Sequence, residues 1–106
     1  MLERDYQAKL IRKLKNMFPT AVILKNDPNY IQGFPDLLIL KDDRWAALET
    51  KRSEKAHKQP NQEYYVNKLC EMSYAGFIYP ENEREILNEV RSTLESDRAT
   101  CVSKRK

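Results

Sequence analysis

Two acidic residues and one lysine could carry out chemistry together in this chain of 106 residues. Asp36 opens one apolar run of strand length, and Glu49 and Lys51 lie near the end of the next such run. Side chains alternate between the faces of a strand, so positions 49 and 51 face the same way. In an antiparallel hairpin, the start of one strand lies beside the end of the next. The sequence therefore predicts that two carboxylates and an amine meet at one end of a sheet.

Two carboxylates this close repel each other unless a cation compensates their charge. Because Mg²⁺ prefers oxygen ligands, we expect Asp36 and Glu49 to bind Mg²⁺ or Mn²⁺. A bound ion of this kind can contact a phosphate oxygen, activate water and stabilise a leaving oxygen. Lys51 would then orient the attacking water or offset developing negative charge. The alternative interpretation is a strand cap at Asp36 and an ordinary surface ion pair between Glu49 and Lys51.

Length and composition limit the classes of protein that the chain can form. We expect one compact domain over residues 1–95 and a polar, flexible tail over residues 96–106. The net charge of +3 is too small to indicate a nucleic-acid-binding protein by itself. Cys70 and Cys101 lack the spacing of a zinc site or of a disulfide framework. The sequence has no apolar run of membrane-spanning length and no signal-peptide core, so we expect a cytoplasmic protein without membrane contact.

Hydrophobic periodicity predicts the order helix, three strands, helix, strand, helix. The first helix is expected to stop at Pro19, and Pro60 suits the first position of the second helix. We expect Gly76 to end that second helix and residues 77–79 to form the last strand. Strands that are apolar almost throughout indicate a sheet covered on both faces. The predicted fold class is α/β, with a mixed sheet of about four strands flanked by helices.

Two short motifs resemble those of a known enzyme superfamily. The segments Gly33-Phe34-Pro35-Asp36 and Leu48-Glu49-Thr50-Lys51 resemble the PD-(D/E)xK motif of the restriction-endonuclease-like nucleases. With Gln62 on the following helix, the pattern is most similar to the virus-type replication-repair nuclease branch. The resemblance covers about residues 3–80. It implies a restriction-endonuclease-like core and a metal-dependent DNA endonuclease that acts on branched or structured DNA, such as four-way junctions, in phage replication, recombination or repair.

The resemblance also implies roles for further residues. Glu3 matches an acidic residue on the family's first helix that assists metal or water, although a first-turn glutamate also suits the helix dipole. Thr50 would offer its backbone carbonyl as an additional metal ligand. Gln62 would take part in the catalytic site, and Gln59, three residues earlier, is the competing candidate.

Polar residues near the predicted site are candidates for contact with DNA. Two of them flank the same end of the sheet, and three belong to the basic segment that follows the catalytic strand: Lys25 and Gln32, and Arg52, Lys55 and Lys58. Such a segment could track a phosphate backbone. A solvated charged loop would have the same sequence. His57 in this segment is interpreted as a solvated loop residue rather than as a general base.

Two alternative functions stay open. One is a non-catalytic protein that binds structured DNA and retains the fold, but such a protein gains nothing from the repelling carboxylates of Asp36 and Glu49. The other is a metal-dependent RNA nuclease. The resemblance further implies a symmetric homodimer in the cytoplasm of a host cell, because viral members of the family are typically dimers and symmetric cutting needs two sites.

Overall fold

A computed structural model describes residues 2–95 of the chain; the expected tail, residues 96–106, lies outside them. In the described residues, three helices and four strands follow in the order α1 (Glu3–Met17), β1 (Val22–Lys25), β2 (Leu37–Lys41), β3 (Arg44–Thr50), α2 (Pro60–Met72), β4 (Ala75–Ile78) and α3 (Glu83–Glu95). The predicted α/β class and element order are confirmed. None of these helices has both the length and the hydropathy that crossing a bilayer requires.

The sheet is mixed, as the sequence predicts, with the strands in the order β1-β2-β3-β4. Strand β2 is antiparallel to both β1 and β3, whereas β4 is parallel to β3. Asp42 and Asp43 form the two-residue connection between β2 and β3, and Asp42 has a φ of 58°. A polar residue with a short side chain tolerates this left-handed conformation, which tight hairpins require. The hairpin fixes which residues of β2 and β3 face each other.

Helices cover both faces of the sheet. Helices α1 and α3 pack on one face, where the buried sheet residues include Leu37, Ile39 and Leu48. Helix α2 packs on the other face, where Val66 contributes to a second buried cluster around Ala47. Because strand side chains alternate, the side chains of residues 49 and 51 share the α2 face with Ala47, and that of residue 50 points to the α1 face.

The expectation that Gly76 ends the second helix is wrong. Helix α2 ends at Met72, and Gly76 lies inside β4. The helix stops earlier because the chain is already bound to β3: the Ser73 hydroxyl donates to Trp45 O at 2.6 Å, and Ala47 N donates to Tyr74 O at 2.9 Å. Gly76 instead allows close packing, since a Cβ atom there would lie 3.2 Å from the Tyr74 hydroxyl oxygen.

Candidate active site

Asp36 and Glu49 meet at the edge of the sheet where β2 begins and β3 ends. Leu37 pairs with Leu48, so one further step along the antiparallel register puts Asp36 opposite Glu49. Asp36 Oδ2 accepts hydrogen bonds from the Thr50 backbone amide at 3.0 Å and from the Thr50 hydroxyl at 2.6 Å. These two bonds hold the Asp36 carboxylate against the last residue of β3.

Glu49 is a buried acid, with 3% of its surface exposed. Burial above all, and the neighbouring Asp36 carboxylate next, raise the pKa of the Glu49 carboxyl to about 8. The Lys51 ammonium acts in the opposite direction and offsets only part of this shift. The two carboxylates are therefore close enough to interact, and the protein alone does not compensate their charge.

Gln62 connects Glu49 to Lys51. Its side-chain nitrogen Nε2 donates to Glu49 Oε2 at 2.9 Å, and its Oε1 accepts from Lys51 Nζ at 2.9 Å. Lys51 is 6% exposed and also donates to the backbone carbonyl of His57 at 2.9 Å. The lysine ammonium is thus fixed beside the carboxylates instead of extending into solvent.

The competing candidate, Gln59, has a different position. It is the N-cap residue of α2, where its side chain accepts a hydrogen bond from the Gln62 backbone amide. Gln62 Oε1 in turn accepts from Gln59 N at 3.0 Å, which completes a capping box. Of the two glutamines, only Gln62 has a hydrogen bond to Glu49 or Lys51 within residues 2–95. Gln62 therefore both caps the helix and orders the site.

Gln7 also belongs to this arrangement, although it was not among the residues predicted from the sequence. It is 7% exposed, and its side-chain nitrogen donates to Thr50 Oγ1 at 3.1 Å. The Thr50 hydroxyl can therefore accept from Gln7 while it donates to Asp36. A signal was present in the sequence, because Gln7 follows Glu3 by one helical turn and interrupts an otherwise apolar face.

The backbone of Thr50 faces the Asp36 side of β3. Lys51 N donates to Ile78 O at 2.9 Å, so the residues that bond to β4 are those at odd positions of β3. In a sheet, the next residue along the strand turns its amide and carbonyl the other way. Accordingly, the Thr50 amide donates to Asp36. The Thr50 carbonyl, predicted as a metal ligand, is directed to the same side.

The acidic groups at this edge fit a magnesium-like ion. Glu3, in the first turn of α1, is half-buried and close enough to raise the pKa of Glu49, although less than Asp36 does. No three Asp, Glu, His or Cys side chains in residues 2–95 are grouped closely enough to form a metal cluster. An ion at this edge would have two carboxylates and one carbonyl as donors, and Mg²⁺ commonly binds through one or two carboxylates while it keeps water ligands.

The predicted DNA-binding residues surround this edge in different environments. Lys25 is exposed and pairs with Leu37, next to Asp36. Gln32 is exposed, and its backbone carbonyl accepts from Asn61 Nδ2 at 3.2 Å, which ties its loop to α2. The remaining three lie after β3: Arg52 and Lys55, which are exposed, and Lys58, whose ammonium lies 4.9 Å from the centre of the Phe77 ring.

The structure thus brings together Asp36, Glu49, Lys51 and Gln62, and it adds Gln7 through Thr50. A paired acid site with a fixed ammonium can bind a divalent cation and stabilise negative charge on a phosphate. Comparisons with protein-family models, with curated proteins and with solved structures found no match to this chain.

Proposed function

We propose that this protein is a divalent-metal-dependent endonuclease that hydrolyses phosphodiester bonds in DNA. The observation that carries the proposal is the position of Asp36 opposite Glu49, with Lys51 held beside them by Gln62. An ordinary strand cap and surface ion pair would be exposed, whereas Glu49 and Lys51 are 3% and 6% exposed. Two ionisable side chains buried together at a sheet edge, one with a strongly raised pKa, are typical of functional sites.

The cofactor would be Mg²⁺ or Mn²⁺, held by Asp36, Glu49 and the Thr50 carbonyl, with Glu3 close by. Such an ion supplies Lewis-acid activation of water and of a phosphate oxygen when it is bound. Neighbouring residues of the chain orient the two carboxylates that would hold the ion. Thr50 fixes one oxygen of Asp36, and the Gln62 amide fixes one oxygen of Glu49, so each carboxylate presents its other oxygen in a defined direction.

Lys51 would stabilise the charge that develops during hydrolysis. Its ammonium is held by Gln62 Oε1 and by the His57 carbonyl, both at 2.9 Å. A cation that is fixed before reaction stabilises negative charge on the phosphate and the leaving oxygen without reorganisation. Gln62 is thus a positioning residue for both Glu49 and Lys51.

We propose branched or structured DNA as the substrate and a restriction-endonuclease-like core of the virus-type replication-repair branch as the finer fold class. Support comes from the motif resemblance together with the position of Gln62 against Glu49. Residues 2–95 form one sheet with its flanking helices, so this part of the chain has no separate module for reading bases. Recognition of DNA shape rather than of sequence suits such a molecule.

The test is a panel of labelled linear and four-way DNA, with RNA duplexes of matched sequence, incubated with Mg²⁺, Mn²⁺ or EDTA. Asp36→Asn, Glu49→Gln and Lys51→Ala should each reduce cleavage by at least about 100-fold, with unchanged circular dichroism. Asp43→Asn is the matched control, since this carboxylate is 94% exposed in the hairpin turn at the opposite end of β3. Undiminished cleavage in EDTA or by Glu49→Gln would exclude the proposed function, and cleavage of RNA alone would exclude DNA as the substrate.

A further inference from the structure

A second surface lies outside the candidate active site, in a groove between α1 and α3. Its volume is about 520 Å³, and four cationic side chains, one acid and several apolar groups line it. The charged residues are Lys9 and Lys13 on α1 and Glu83, Arg84 and Arg91 on α3. Nothing in the proposed chemistry at Asp36 and Glu49 uses these residues.

The groove is cationic in spite of Glu83. Burial alone would raise the pKa of Glu83, but hydrogen bonds from Lys13 and Tyr6 outweigh it and lower the pKa, so this carboxylate is charged. Both of its oxygens are engaged, Oε1 by the Tyr6 hydroxyl at 2.8 Å and Oε2 by Lys13. Four cations and one acid leave a lining charge of 4 − 1 = +3. Arg91 also approaches Glu95 at 3.8 Å, an exposed pair that is worth little.

Apolar groups lie between the charged residues of the groove. Met17, which is half-buried, and Pro80, which is exposed, belong to its wall, whereas the lining residues Tyr6 and Leu87 are buried, with 3% and 7% exposed. A surface that only attracts anions does not need such groups. An unpaired nucleic-acid strand presents both phosphates and the faces of its bases, and proteins bind it with a positive groove that also offers apolar contact.

The elements that form the groove are connected to the edge of the sheet that carries the candidate active site. Gln7, next to Tyr6 on α1, donates to Thr50, and Thr50 pairs with Ile78 at the end of β4, five residues before Glu83. From Glu83 to Arg91, the lining extends eight residues along α3, or about 12 Å. Both helices that line the groove are therefore attached, through Thr50, to the residues of the candidate active site.

The volume of the groove suits a single strand better than a duplex. Its volume of 520 Å³ lies in the range of clefts that hold small molecules, about 300–1,000 Å³. Met17 and Pro80 are the accessible apolar residues of the lining, and bases that are not paired can contact them.

We propose that the groove between α1 and α3 binds an unpaired strand of the nucleic-acid substrate, with its phosphates on Lys9, Lys13, Arg84 and Arg91. This inference rests on the proposed function only for the claim that the bound strand is part of a nuclease substrate. Binding of the strand by the groove does not depend on that function. It makes the protein specific for sites where paired and unpaired DNA adjoin, because the active site and the groove would hold neighbouring parts of one strand.

The test measures binding by fluorescence anisotropy, in EDTA so that no strand is cut. The probes are a labelled single-stranded oligothymidylate and a blunt duplex. The double variant Lys9→Ala/Arg84→Ala should bind the oligothymidylate at least about tenfold more weakly, with a log–log salt slope reduced by roughly 1.4, or about 0.7 for each lost phosphate contact. Its affinity for the blunt duplex should change less than about threefold. The control Arg12→Ala/Lys68→Ala removes the same charge from exposed positions that do not line the groove.

Equal loss of oligothymidylate binding in the groove and control variants would overturn the proposal, since attraction would then depend on net charge alone. Equal loss for oligothymidylate and duplex in the groove variant would overturn it as well. Hydrolysis of bis(p-nitrophenyl) phosphate with Mn²⁺ tests the nuclease separately, because this small diester cannot span both sites. If the wild type hydrolyses the diester but the groove variant binds the oligothymidylate as the wild type does, only the groove proposal is rejected. If the wild type does not hydrolyse the diester but the groove variant loses strand binding as expected, only the nuclease proposal is rejected.

Discussion

The hydroxyl oxygen of Thr50 lies 2.6 Å from Asp36 Oδ2, and the Thr50 backbone amide donates to the same carboxylate oxygen at 3.0 Å. The hydroxyl also accepts from Gln7 Nε2 at 3.1 Å. A hydrogen-bonded chain thus leads from α1, through the end of β3, to the carboxylate that opens β2. The orientation of Asp36 therefore depends on the Thr50 hydroxyl and, through it, on Gln7.

Removing the Thr50 hydroxyl should impair cleavage more than it impairs folding. Thr50→Val keeps the shape of this fully buried side chain but leaves Gln7 and Asp36 each without one partner. We expect kcat to fall about tenfold or more, because a carboxylate displaced by a small distance no longer holds its ligand productively. The free energy of unfolding should fall by about 1–3 kcal/mol. Thr50→Ser should restore most of the rate.

Thr93→Val is the matched control for this prediction. Thr93 is 4% exposed on α3, and its hydroxyl donates to the Glu89 carbonyl at 3.0 Å, away from the carboxylates. The two variants should lose stability to a similar extent in urea titrations, but Thr93→Val should cleave like the wild type. A Thr50→Val protein with full kcat would show that the Asp36 contact is purely structural.

Variants of the two glutamines in the α2 capping box should distinguish an effect on catalysis from an effect on helix stability. Gln62→Leu removes the partners of Glu49 and Lys51, whereas Gln59→Ala removes only half of the cap. We expect both variants to lose about 1 kcal/mol of stability. Only Gln62→Leu should lower kcat substantially, because it alone removes the hydrogen bonds that position Glu49 and the Lys51 ammonium relative to each other. Steady-state kinetics and thermal unfolding of both variants give the comparison, and an equal effect on kcat would assign Gln62 to capping only.

The raised pKa of Glu49 makes the stability of the metal-free protein depend on pH. The usual value for a glutamate is 4.5, and burial with the nearby Asp36 charge raises it to about 8. The folded protein therefore binds this proton more tightly than the unfolded chain does. This contribution to stability is complete below about pH 4.5, and it is lost as the pH rises to about 8, with a slope of up to about 1.4 kcal/mol per pH unit.

The measurement is urea unfolding in EDTA from pH 5 to pH 8, with Glu49→Gln as the reference that lacks the titrating group. Stability of the wild type should decline relative to the variant over this range. Added Mg²⁺ should reverse the decline at pH 8, since a cation binds the ionised carboxylates of the folded state only. Parallel pH profiles for the two proteins would contradict the assignment of the buried titrating group to Glu49.

Sequence patterns predicted the fold well where local hydrophobic periodicity and turn residues determined the structure. The hairpin of β2 and β3 has apolar runs and a short polar turn, so the register of Asp36 against Glu49 could be anticipated. The end of α2 could not, because Tyr74 leaves the helix to pair with β3, a long-range contact that outweighs the local preference of Gly76. Tertiary pairing of this kind has no local signal.

The site was predictable to the extent that its residues belong to short motifs. Gln62 could be found because it follows the Glu49 motif at a helix start, whereas Gln7 has no motif around it. The position of Lys58 over the Phe77 ring also could not be predicted from the sequence, since the contact joins a loop to β4. The groove between α1 and α3 depends on how two distant helices pack, which periodicity within each helix does not specify.

The last prediction concerns a homodimer formed through the edge strand β1. Val22 and Leu24 are 52% and 42% exposed, although they face the same side of the sheet as the buried α2 cluster. Helix α2 packs on β3 and β4 and leaves these side chains uncovered. The apolar face of α3 is not available as an interface, because Leu87, Val90 and Leu94 are buried in the core. An exposed apolar edge strand can pair with its copy across a two-fold axis, which would give the symmetric dimer two active sites.

Leu24→Lys should therefore convert a dimer into a monomer, because it puts a charge at the centre of the paired strands. Met72→Lys is the matched control, since Met72 is a 61% exposed apolar residue at the end of α2. Light scattering at micromolar concentration should give twice the monomer mass for the wild type and for Met72→Lys. The Leu24→Lys monomer should nick one strand of a four-way substrate instead of cutting two strands together, because each substrate then meets a single active site. A monomeric wild type, with and without DNA, would exclude the dimer and leave the assignment of Asp36, Glu49 and Lys51 unchanged.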